Sequence, residues 1–559
     1  MILHPALILV LGALVLPWLP RAARQAAVIG LPLATLWAVW QVPDGAAWQL
    51  HFLDYTLTPL AGDRLTRLFA TIFSLMAAVG GLFALKQESR LEVPAAMFYA
   101  GSAIGVAFAG DLITVFIFWE LMAIGSTLVI WSAGNRTAYT ASMRYMAIHL
   151  LGGVVLMAGI AGHVAATGSV AFVPMAPESW AQWLILAGVL INAGAPPLSA
   201  WLPDAYPEAS WSGTVFLSAF TTKTAVYVLL RGFPGTELLI WVGMFMIFYG
   251  IVYALLENDM RRILAYSIVN QVGFMVVGIG IGTEMALNGA AAHAFAHIIY
   301  KALLLMSAGA VLYRTGRRKC TDLGGLFQSM PVTAVCGIVG ALAISSFPWT
   351  SGFVSKSMIS QAAGDQHLTF VWLGLAAASA GVFLHAGIKF PWFVFFQKDS
   401  GLRPADPPAS MQAAMLVFAA LCIGLGLFPA PLYALLPFAV DYEPYSGAHV
   451  VTQLQLLLFS GLAFFVMLES LKRTLTISLD FDWFYRVFAR RLSEILTPLF
   501  TGLIAALERS AGALANRGGD VLRRHHGPLG ALARTWPTGS MALWVTIMLL
   551  AWLVLYYLF

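Results

Sequence analysis

Apolar residues fall along this chain in blocks of about twenty, the length a helix needs to cross a bilayer, separated by short polar or Gly- and Pro-containing breaks. "MFYAGSAIGVAFAG" (97–110) and "ALWVTIMLLAWLVLYYLF" (542–559) show the form. The blocks predict spans near 2–20, 25–42, 66–85, 93–110, 112–131, 145–166, 180–199, 213–231, 237–256, 266–283, 290–313, 332–349, 369–396, 411–432, 451–470 and 541–559. Two or three of these are expected to be broken or re-entrant. The expectation is an all-α polytopic membrane protein of about 14–16 transmembrane helices. The first block, "MILHPALILVLGALVLPWLP", has no basic n-region and no small-residue cleavage site, so it reads as a membrane helix rather than a signal peptide. Proline removes an amide donor and clashes with the preceding turn, and "NAGAPPLSAWLPDAYPEASWSG" (192–213) and "SSFPWTSGFVSK" (345–356) are the clearest interruptions. Unwound backbone at membrane depth must be buried in protein or line a wet cavity, as in transporters built from broken helices.

The stretch 471–540 has another pattern. In "DFDWFYRVFARRLSEI" and "LERSAGALANRGGDVLRRHH" apolar and charged residues alternate at helical spacing. Two readings stand: a tethered linker, or an amphipathic helix lying along the membrane or against a neighbouring subunit. The expected organisation is N-terminal transmembrane helices over 1–110, membrane units over 111–256 and 257–432, an additional transmembrane helix over 433–470, an interfacial amphipathic segment over 471–540 and a C-terminal transmembrane helix over 541–559.

Composition sharpens this picture. The chain is 60% hydrophobic and 10% charged, with a mean hydropathy of +0.81, which excludes an ordinary soluble protein of 559 residues. The net charge of +5 (31 basic against 26 acidic residues) collects between spans, at Arg21 and Arg24, Arg261 and Arg262, "RTGRRK" (314–319), and Lys472 and Arg473. Such loops are expected on the cytoplasmic side. Cys320, Cys336 and Cys422 form no CxxC pair, disulfide scaffold or iron–sulfur motif. With no soluble domain to hold a nucleotide or flavin, neither a cofactor nor a metal is expected.

Ionisable residues inside the apolar blocks carry the chemistry. Glu120 lies centrally in "DLITVFIFWELMAIGSTLVIW", where a charge costs roughly 2.5–3.5 kcal/mol on insertion scales. That expense favours a functional carboxyl over structural glue. Lys223 lies in "SGTVFLSAFTTKTAVYVLLR". An ammonium stripped of water gives up its proton more readily, and a nearby carboxylate restores it, so a moving partner switches such a lysine. Glu120 is an available partner; a static Lys–Glu pair that orients helices is the alternative. His293, His297 and Lys301 in "HAFAHIIYKALLLM" are spaced i, i+4, i+8 and share one helix face over about 12 Å. Histidine titrates near neutrality, so this ladder reads as a hydrogen-bonded wire with water between its members. A zinc site competes, but no cysteine or carboxylate lies at metal spacing, and a structural imidazole on a backbone carbonyl fits either histidine alone. His385 and Lys389 in "GVFLHAGIKFPWFVFF" repeat the His-plus-Lys arrangement just before Pro391 and suggest an outlet, unless Lys389 snorkels towards "QKDSGLR". His149 as a core hydrogen bonder, Asp204 in a loop-like run with Glu208, and Lys356 as a terminus charge after a Gly-containing break are supporting candidates. Arg231 marks a helix end. "ENDMRRILAYS" (257–267) reads as a tight cytoplasmic crossing with Arg261 and Arg262 as positive-inside anchors.

"FIFWELMAIGS", "PPLSAWLPDAYPEASWSGTVFLSAFTTKTAVYVLLR", "NDMRRILAYSIVNQVG" and "HAFAHIIYKALLLMSAG" together resemble the proton-conducting, antiporter-like membrane subunits shared by respiratory NADH:quinone oxidoreductase and the multisubunit Na+/H+ antiporters. The resemblance covers roughly residues 60–430. It implies a core of fourteen helices made of two inverted five-helix repeats, here 111–256 and 257–432, with two broken helices. It also implies a proton pathway: Glu120 as the glutamate of the fifth helix, Lys223 as the lysine of a broken seventh, Lys301 with His293 and His297 in the eighth, and Lys389 in a broken twelfth. A lysine at 389 resembles the antiporter D-type subunit more than the M-type respiratory subunit. Ser199 departs from the family's "PLHxWLPDA" run, which carries histidine there, so another group serves that position or it is dispensable. Residues 471–559 resemble, at reduced length, the lateral helix of the largest respiratory subunit.

The resemblance implies the D-type subunit of a monovalent cation (Na+)/H+ antiporter. Such a chain is a multi-pass protein of the bacterial inner membrane that works with other hydrophobic subunits, protons and Na+, and a secondary transporter rather than an enzyme. The alternatives are a proton-pumping membrane subunit of a respiratory or hydrogenase-type redox complex, and a proton-coupled membrane subunit of an inorganic carbon (bicarbonate) uptake complex.

Overall fold

Two aspartates, 148 positions apart (259 − 111), open two similar runs of structure in this molecule. The computed structural model describes residues 3–475, 479–528, 530, 531, 533, 534 and 536–558. The remaining residues of the expected first span (1 and 2), interfacial segment (476–478, 529, 532 and 535) and last span (559) lie outside the described residues. The chain forms two compact units, Met1–Asp482 and Trp483–Phe559.

In the first unit α1 (Pro5–Val15) starts behind His4, whose side chain accepts from the Ala6 amide, and α2 (Arg21–Val39) follows. An antiparallel hairpin, β1 (Gly45–Phe52) and β2 (Tyr55–Gly62), comes next. It is a small addition to an otherwise helical membrane protein and was not among the expected elements. Its cause is legible in Trp48-Gln49-Leu50-His51-Phe52, which alternates apolar and polar with period two. Next come α3 (Arg64–Phe83), α4 (Glu92–Phe108), α5 (Leu112–Trp131), α6 (Arg136–Thr167) and α7 (Trp180–Ala193). The first Gly/Pro-rich run splits into short α8 (Trp201–Ala205) and α9 (Gly213–Leu217) before α10 (Thr221–Gly232). After α11 (Leu238–Leu256) come α12 (Met260–Ile281), α13 (Glu284–Thr315), α14 (Pro331–Ile344), α15 (Ser351–Asp365) and α16 (Thr369–Val382). The last of these widens into two π-helical turns, Phe383–Lys389 and Trp392–Phe396, around Pro391. The unit continues through α17 (Ala409–Leu427), α18 (Ala430–Tyr433), α19 (Gly447–Val466) and α20 (Leu468–Leu471). Twelve of the described helical segments are long and apolar enough to cross a bilayer, and four shorter apolar helices, Pro5–Trp18, Glu92–Phe108, Trp180–Ala193 and Pro331–Ile344, accompany them. The sixteen blocks of the sequence are matched only with those four included.

A helix apolar on all sides belongs inside its protein or in lipid, and α12 and α13 take the inside: residues 263–280 and 286–311 are buried without interruption. Their neighbours approach through glycine. A Cβ on Gly273 would lie 2.7 Å from the Gly243 carbonyl oxygen, and one on Gly243 2.6 Å from that of Gly273, so α11 and α12 touch backbone to backbone.

The opening aspartates are Asp111, which caps α5, and Asp259, which caps α12. Each forms an isolated β-bridge, Asp111 with Ala171 and Asp259 with Lys319, a separation of 60 residues in both cases (171 − 111 and 319 − 259). The Leu112 amide donates to Val170 and that of Phe172 to Gly110; Met260 donates to Arg318 and Cys320 to Asn258 in the same way. Between each pair of bridge partners stands a 32-residue helix, α6 or α13, ended by a left-handed glycine, Gly168 or Gly316. Every one of these features is displaced by 148 positions (259 − 111, 319 − 171, 316 − 168).

The second unit contains a π-helical turn, Phe484–Phe488, α21 (Ala489–His526) and α22 (Thr538–Leu558). Within the expected interfacial segment, α21 is a continuous helix of 38 residues, with exposed Leu492, Ile495, Leu499, Leu503 and Leu507 on one stripe.

Candidate functional site

A chain of hydrogen bonds crosses the centre of the first unit. On α13, His293 Nε2 lies 3.1 Å from Gln271 Oε1 of α12, and its Nδ1 lies 3.1 Å from Ser355 Oγ of α15. The Tyr300 hydroxyl donates to the same Gln271 oxygen at 3.1 Å. Gln271 Nε2 donates to Asn270 Oδ1 at 2.5 Å, and Asn270 Nδ2 meets His385 Nε2 at 3.3 Å. His385 Nδ1 lies 2.9 Å from the Gly381 carbonyl oxygen. That carbonyl can only accept, so Nδ1 carries the hydrogen and Nε2 is the acceptor for Asn270. Gln271 Oε1 likewise requires the hydrogen of His293 on Nε2. From His293 through Gln271 and Asn270 to His385 the donors therefore point one way, while the Ser355 hydroxyl beside His293 Nδ1 donates to the Ser351 carbonyl oxygen at 3.0 Å. Aligned bonds of this kind polarise one another. His385, Asn270, Gln271 and His293 are each 0% exposed. Neutral Asn270 and Gln271 were not among the residues expected from the sequence, although both stand in "SIVNQVG", two adjacent amides in an apolar span.

The lysines bind carbonyl oxygens. Lys223 Nζ donates to Ser218 O at 2.6 Å and Thr222 Oγ1 at 3.0 Å. Ser218 lies in the break between α9 and α10, where helix carbonyls lack their usual donors. Lys356 Nζ donates to Ile344 O, the last residue of α14, at 3.2 Å, and sits 4.6 Å from the Phe274 ring centroid. Lys389 Nζ donates to Ala254 O (3.2 Å), Leu255 O (2.5 Å) and Glu257 O (2.7 Å) at the end of α11. The carbonyl end of a helix carries partial negative charge, so these ammonium groups are held without a carboxylate. Lys301 differs. It donates to Leu264 O at 3.3 Å, in the unbroken part of α12. His297 stands next to it, 0% exposed and with no hydrogen-bond partner on either ring nitrogen. Groups buried this way are expensive and call for an explanation beyond packing.

The structure places the remaining candidates individually. Glu120 forms no ion pair with Lys223 or with any other cation among the described residues. Its Oε1 is buried without a partner and rests on Gly153 of α6, where a Cβ would collide with it. His293, His297 and Lys301 share a face but make no hydrogen bonds to one another; the two imidazole centroids are 6.3 Å apart. Lys389 is 2% exposed and turns to α11 instead of snorkelling, and Lys356, 2% exposed, lies inside α15 rather than at a terminus. Asp204 belongs to α8 rather than a loop and holds Arg144 through two bonds of 2.7 and 2.8 Å. Arg261 is no interfacial anchor. It is 3% exposed, donates to the carbonyls of Pro207, Ala209 and Ser210 and the Thr214 hydroxyl, and so ties down the connection from α8 to the start of α9. His149 is a core hydrogen bonder, with Nδ1 2.9 Å from Asn192 Oδ1 and Nε2 unpartnered. The buried Glu92 carboxylate, which accepts from Ser132 and Ser212, was not anticipated.

Counted in chain order over the twelve long and four shorter apolar helices, Glu120 is on the fifth, Lys223 on the eighth, Lys301 on the eleventh and Lys389 on the thirteenth. The helix ordinals implied by resemblance therefore agree only for Glu120.

Residues 109–383 match the family described as NADH:quinone oxidoreductase/Mrp antiporter, TM. The N subunit of NADH-quinone oxidoreductase from Desulforudis audaxviator is 30% identical over 457 residues, 73% of this chain and 87% of that protein. The D-type subunit of the Na(+)/H(+) antiporter from Alkalihalophilus pseudofirmus is 26% identical over 74% of this chain and 90% of its own length. A probable K(+)/H(+) antiporter protein of the A/B type from Rhizobium meliloti is 30% identical over 65% of this chain, which spans only 40% of that larger protein. In fold, the chain is similar to one in the Mrp complex from Dietzia sp. (TM-score 0.70, 23% identity, 80% of this chain and 100% of that one). It is also similar to one in an archaeal membrane-bound sulfane sulfur reductase (TM-score 0.72, 24% identity, 99% of each). With helices apolar enough to span a bilayer, motifs that fall on the buried polar chain, and these relatives, the chain belongs to the NADH:quinone oxidoreductase/Mrp antiporter membrane-subunit family.

Proposed function

We propose that this chain is the proton-translocating, D-type subunit of a multisubunit monovalent cation (Na+)/H+ antiporter of the bacterial inner membrane, working with other hydrophobic subunits. The observation that carries the reading is the one-directional chain from His293 through Gln271 and Asn270 to His385, four residues before Lys389. A cation exchanger driven by protons needs buried groups that take up and release them, held in line across the membrane. Here imidazole and ammonium groups carry the protons, and the two amides fix the imidazole tautomers. The proposed order is Glu120, Lys223, then Lys301, His297 and His293, then His385 and Lys389, with His149, Asp204 and Lys356 in support.

The same reading makes 111–256 and 257–432 two copies of one structural repeat. The displacement of 148 positions supports this. It sets His149 on His297 (149 + 148) and Gly153 on Lys301 (153 + 148). The first copy then keeps the histidine and exchanges the lysine for a glycine against which the Glu120 carboxyl rests. His149 also answers the departure at Ser199, since its ring packs 4.6 Å from that of Trp201 in the same run.

A second reading, a proton module in a redox complex, is favoured by the long C-terminal unit, because the reductase chain shares the fold over 99% of this chain. Purification of the complex through a tag on this chain, then reconstitution into vesicles, separates the two. Small hydrophobic partners and Na+-driven proton movement support the antiporter; flavin or iron–sulfur partners replace it with the redox module. Within the antiporter, Lys301→Ala is expected to lower proton flux at least about tenfold, the usual scale for loss of a group that moves a proton, with every partner protein retained. Undiminished flux in that variant overturns the proposed path.

A further inference from the structure

The described residues just before the second unit are fastened at two points, one on the helix that supplies the carbonyl partners of Lys389 and one on the π-helical turns that follow it. Asp480 is 6% exposed. Its carboxylate accepts from the Tyr249 hydroxyl of α11 at 2.6 Å and from the Tyr266 hydroxyl of α12 at 2.5 Å. The neighbouring Leu479 carbonyl oxygen accepts from Tyr253 of α11 at 2.6 Å. The Phe481 ring adds a contact to Tyr249, centroids 5.9 Å apart. At the other end the Arg473 guanidinium donates to the carbonyls of Cys320, Leu323 (2.7 Å) and Phe393 (3.4 Å), and lies 5.7 Å from the Phe393 ring centroid.

Each anchored element touches the polar chain. Tyr253 stands one residue before Ala254, the first of the three carbonyls that hold Lys389. Tyr266 is one helical turn before Asn270, the partner of His385. Phe393 is one turn after Lys389, in backbone already widened by the π-helical turns and Pro391. π-Helical turns are rare inside α-helices and are common at functional sites. Their position here depends on outside contacts as well as on their own hydrogen bonds. Charge-assisted bonds are the strong kind, and both fastenings use them: a carboxylate taking two phenol hydrogens and a guanidinium held by three carbonyls.

We propose that Arg473 and Asp480 are positioning residues for the outlet of the path: the Arg473 fastening and the Leu479–Phe481 fastening together act as a strap that clamps α11, α12 and the Phe383–Phe396 turns in the one arrangement in which Lys389 reaches the carbonyls of 254–257. The strap ends where the second unit begins in sequence, so whatever that unit docks against is linked through the chain to the outlet. The idea rests on the proposed proton path for its functional consequence and on geometry alone for its structural one.

The test uses the tagged complex with Asp480→Ala, Arg473→Ala and the milder Tyr266→Phe, each checked for full content of partner proteins. Two readouts are taken: amide hydrogen exchange across 383–396, with 213–232 as the internal control, and proton flux in vesicles. The strap predicts exchange about tenfold faster in 383–396 for Asp480→Ala, as expected for losing bonds to a charged group, with the control segment unchanged. Flux should fall about fivefold or more, with Tyr266→Phe intermediate. Unchanged exchange at 383–396, or exchange raised equally in both segments, overturns the strap, as does local loosening with full flux retained. If the wild-type complex moves no protons, the transport reading fails while the exchange result still decides the positioning claim. If Asp480→Ala does not assemble, Tyr266→Phe decides by the same two readouts.

Discussion

At the scale of single residues, the recurring device is an ammonium group set on carbonyl oxygens rather than on a carboxylate. Lys223 uses a helix break, Lys356 the end of α14 and Lys389 the end of α11. A carbonyl cluster stabilises the charged form less than a full ion pair does, which leaves the proton easier to move. Where the chain holds a permanent charge it uses a pair instead. Asp63, outside the membrane segments, caps α3 and bonds Arg231 of α10. Burial pushes its carboxyl up, but the Arg231 guanidinium and the Thr66 amide outweigh that and hold it below the usual range. A folded-state value below the unfolded one stabilises above the unfolded value near 4 and is lost as pH falls through the folded one. Asp63→Asn should therefore lower the thermal midpoint at pH 7, and the gap to the parent should close as the pH drops below about 4. Thermal unfolding of the detergent-solubilised complex at the two pH values measures it. Asparagine still caps α3, so a gap of equal size at both would rule out the ion pair as its cause.

At the scale of elements, glycine sets how closely helices approach, and the breaks set where carbonyls are free. α11 and α12 meet at Gly243 and Gly273, and Gly250 lies against Tyr266 O and Asn270 on the same face. That contact fixes Asn270 towards His385 and brings the α11 carbonyl end to Lys389. A side chain inserted there forces the helices apart at about 1–3 kcal/mol or more. Gly273→Leu should lower the yield of assembled complex and its thermal midpoint by several degrees, while Gly424→Ala, facing open space on α17, should change neither. The buried ionisable groups were readable because charge in an apolar block is conspicuous. Asn270 and Gln271 were not, because neutral amides cost less and need no counter-charge to draw attention. The burial of Arg261 was hidden by its neighbour Arg262 and by a run that looks like any basic loop. The β1–β2 hairpin was passed over because eight-residue strands are short beside twenty-residue blocks.

At the scale of the whole molecule, the first unit shows one plan twice: an aspartate cap, a helix of about twenty residues, a 32-residue helix and a strand bridge back to the cap. In the sequence this is visible as two long apolar runs but not as one motif, since the matched positions exchange chemistry, Tyr145 for His293 and Gly153 for Lys301. The second run contains the uninterrupted hydrogen-bond chain; in the first, Glu120 Oε1 and His149 Nε2 stand unpaired. The second half also holds His297, unpaired on both ring nitrogens, so the proposed path joins one continuous hydrogen-bond chain to open, partner-seeking groups in both halves. The most direct test is proton flux through the reconstituted complex carrying Gln271→Leu. That change keeps the volume close, removes no titratable group and cuts the bridge between His293 and Asn270. Flux should fall about tenfold or more in a fully assembled complex, the scale of losing an oriented proton donor or acceptor. Flux equal to the parent would contradict the proposed wire and leave the chain of amides and imidazoles a feature of packing alone.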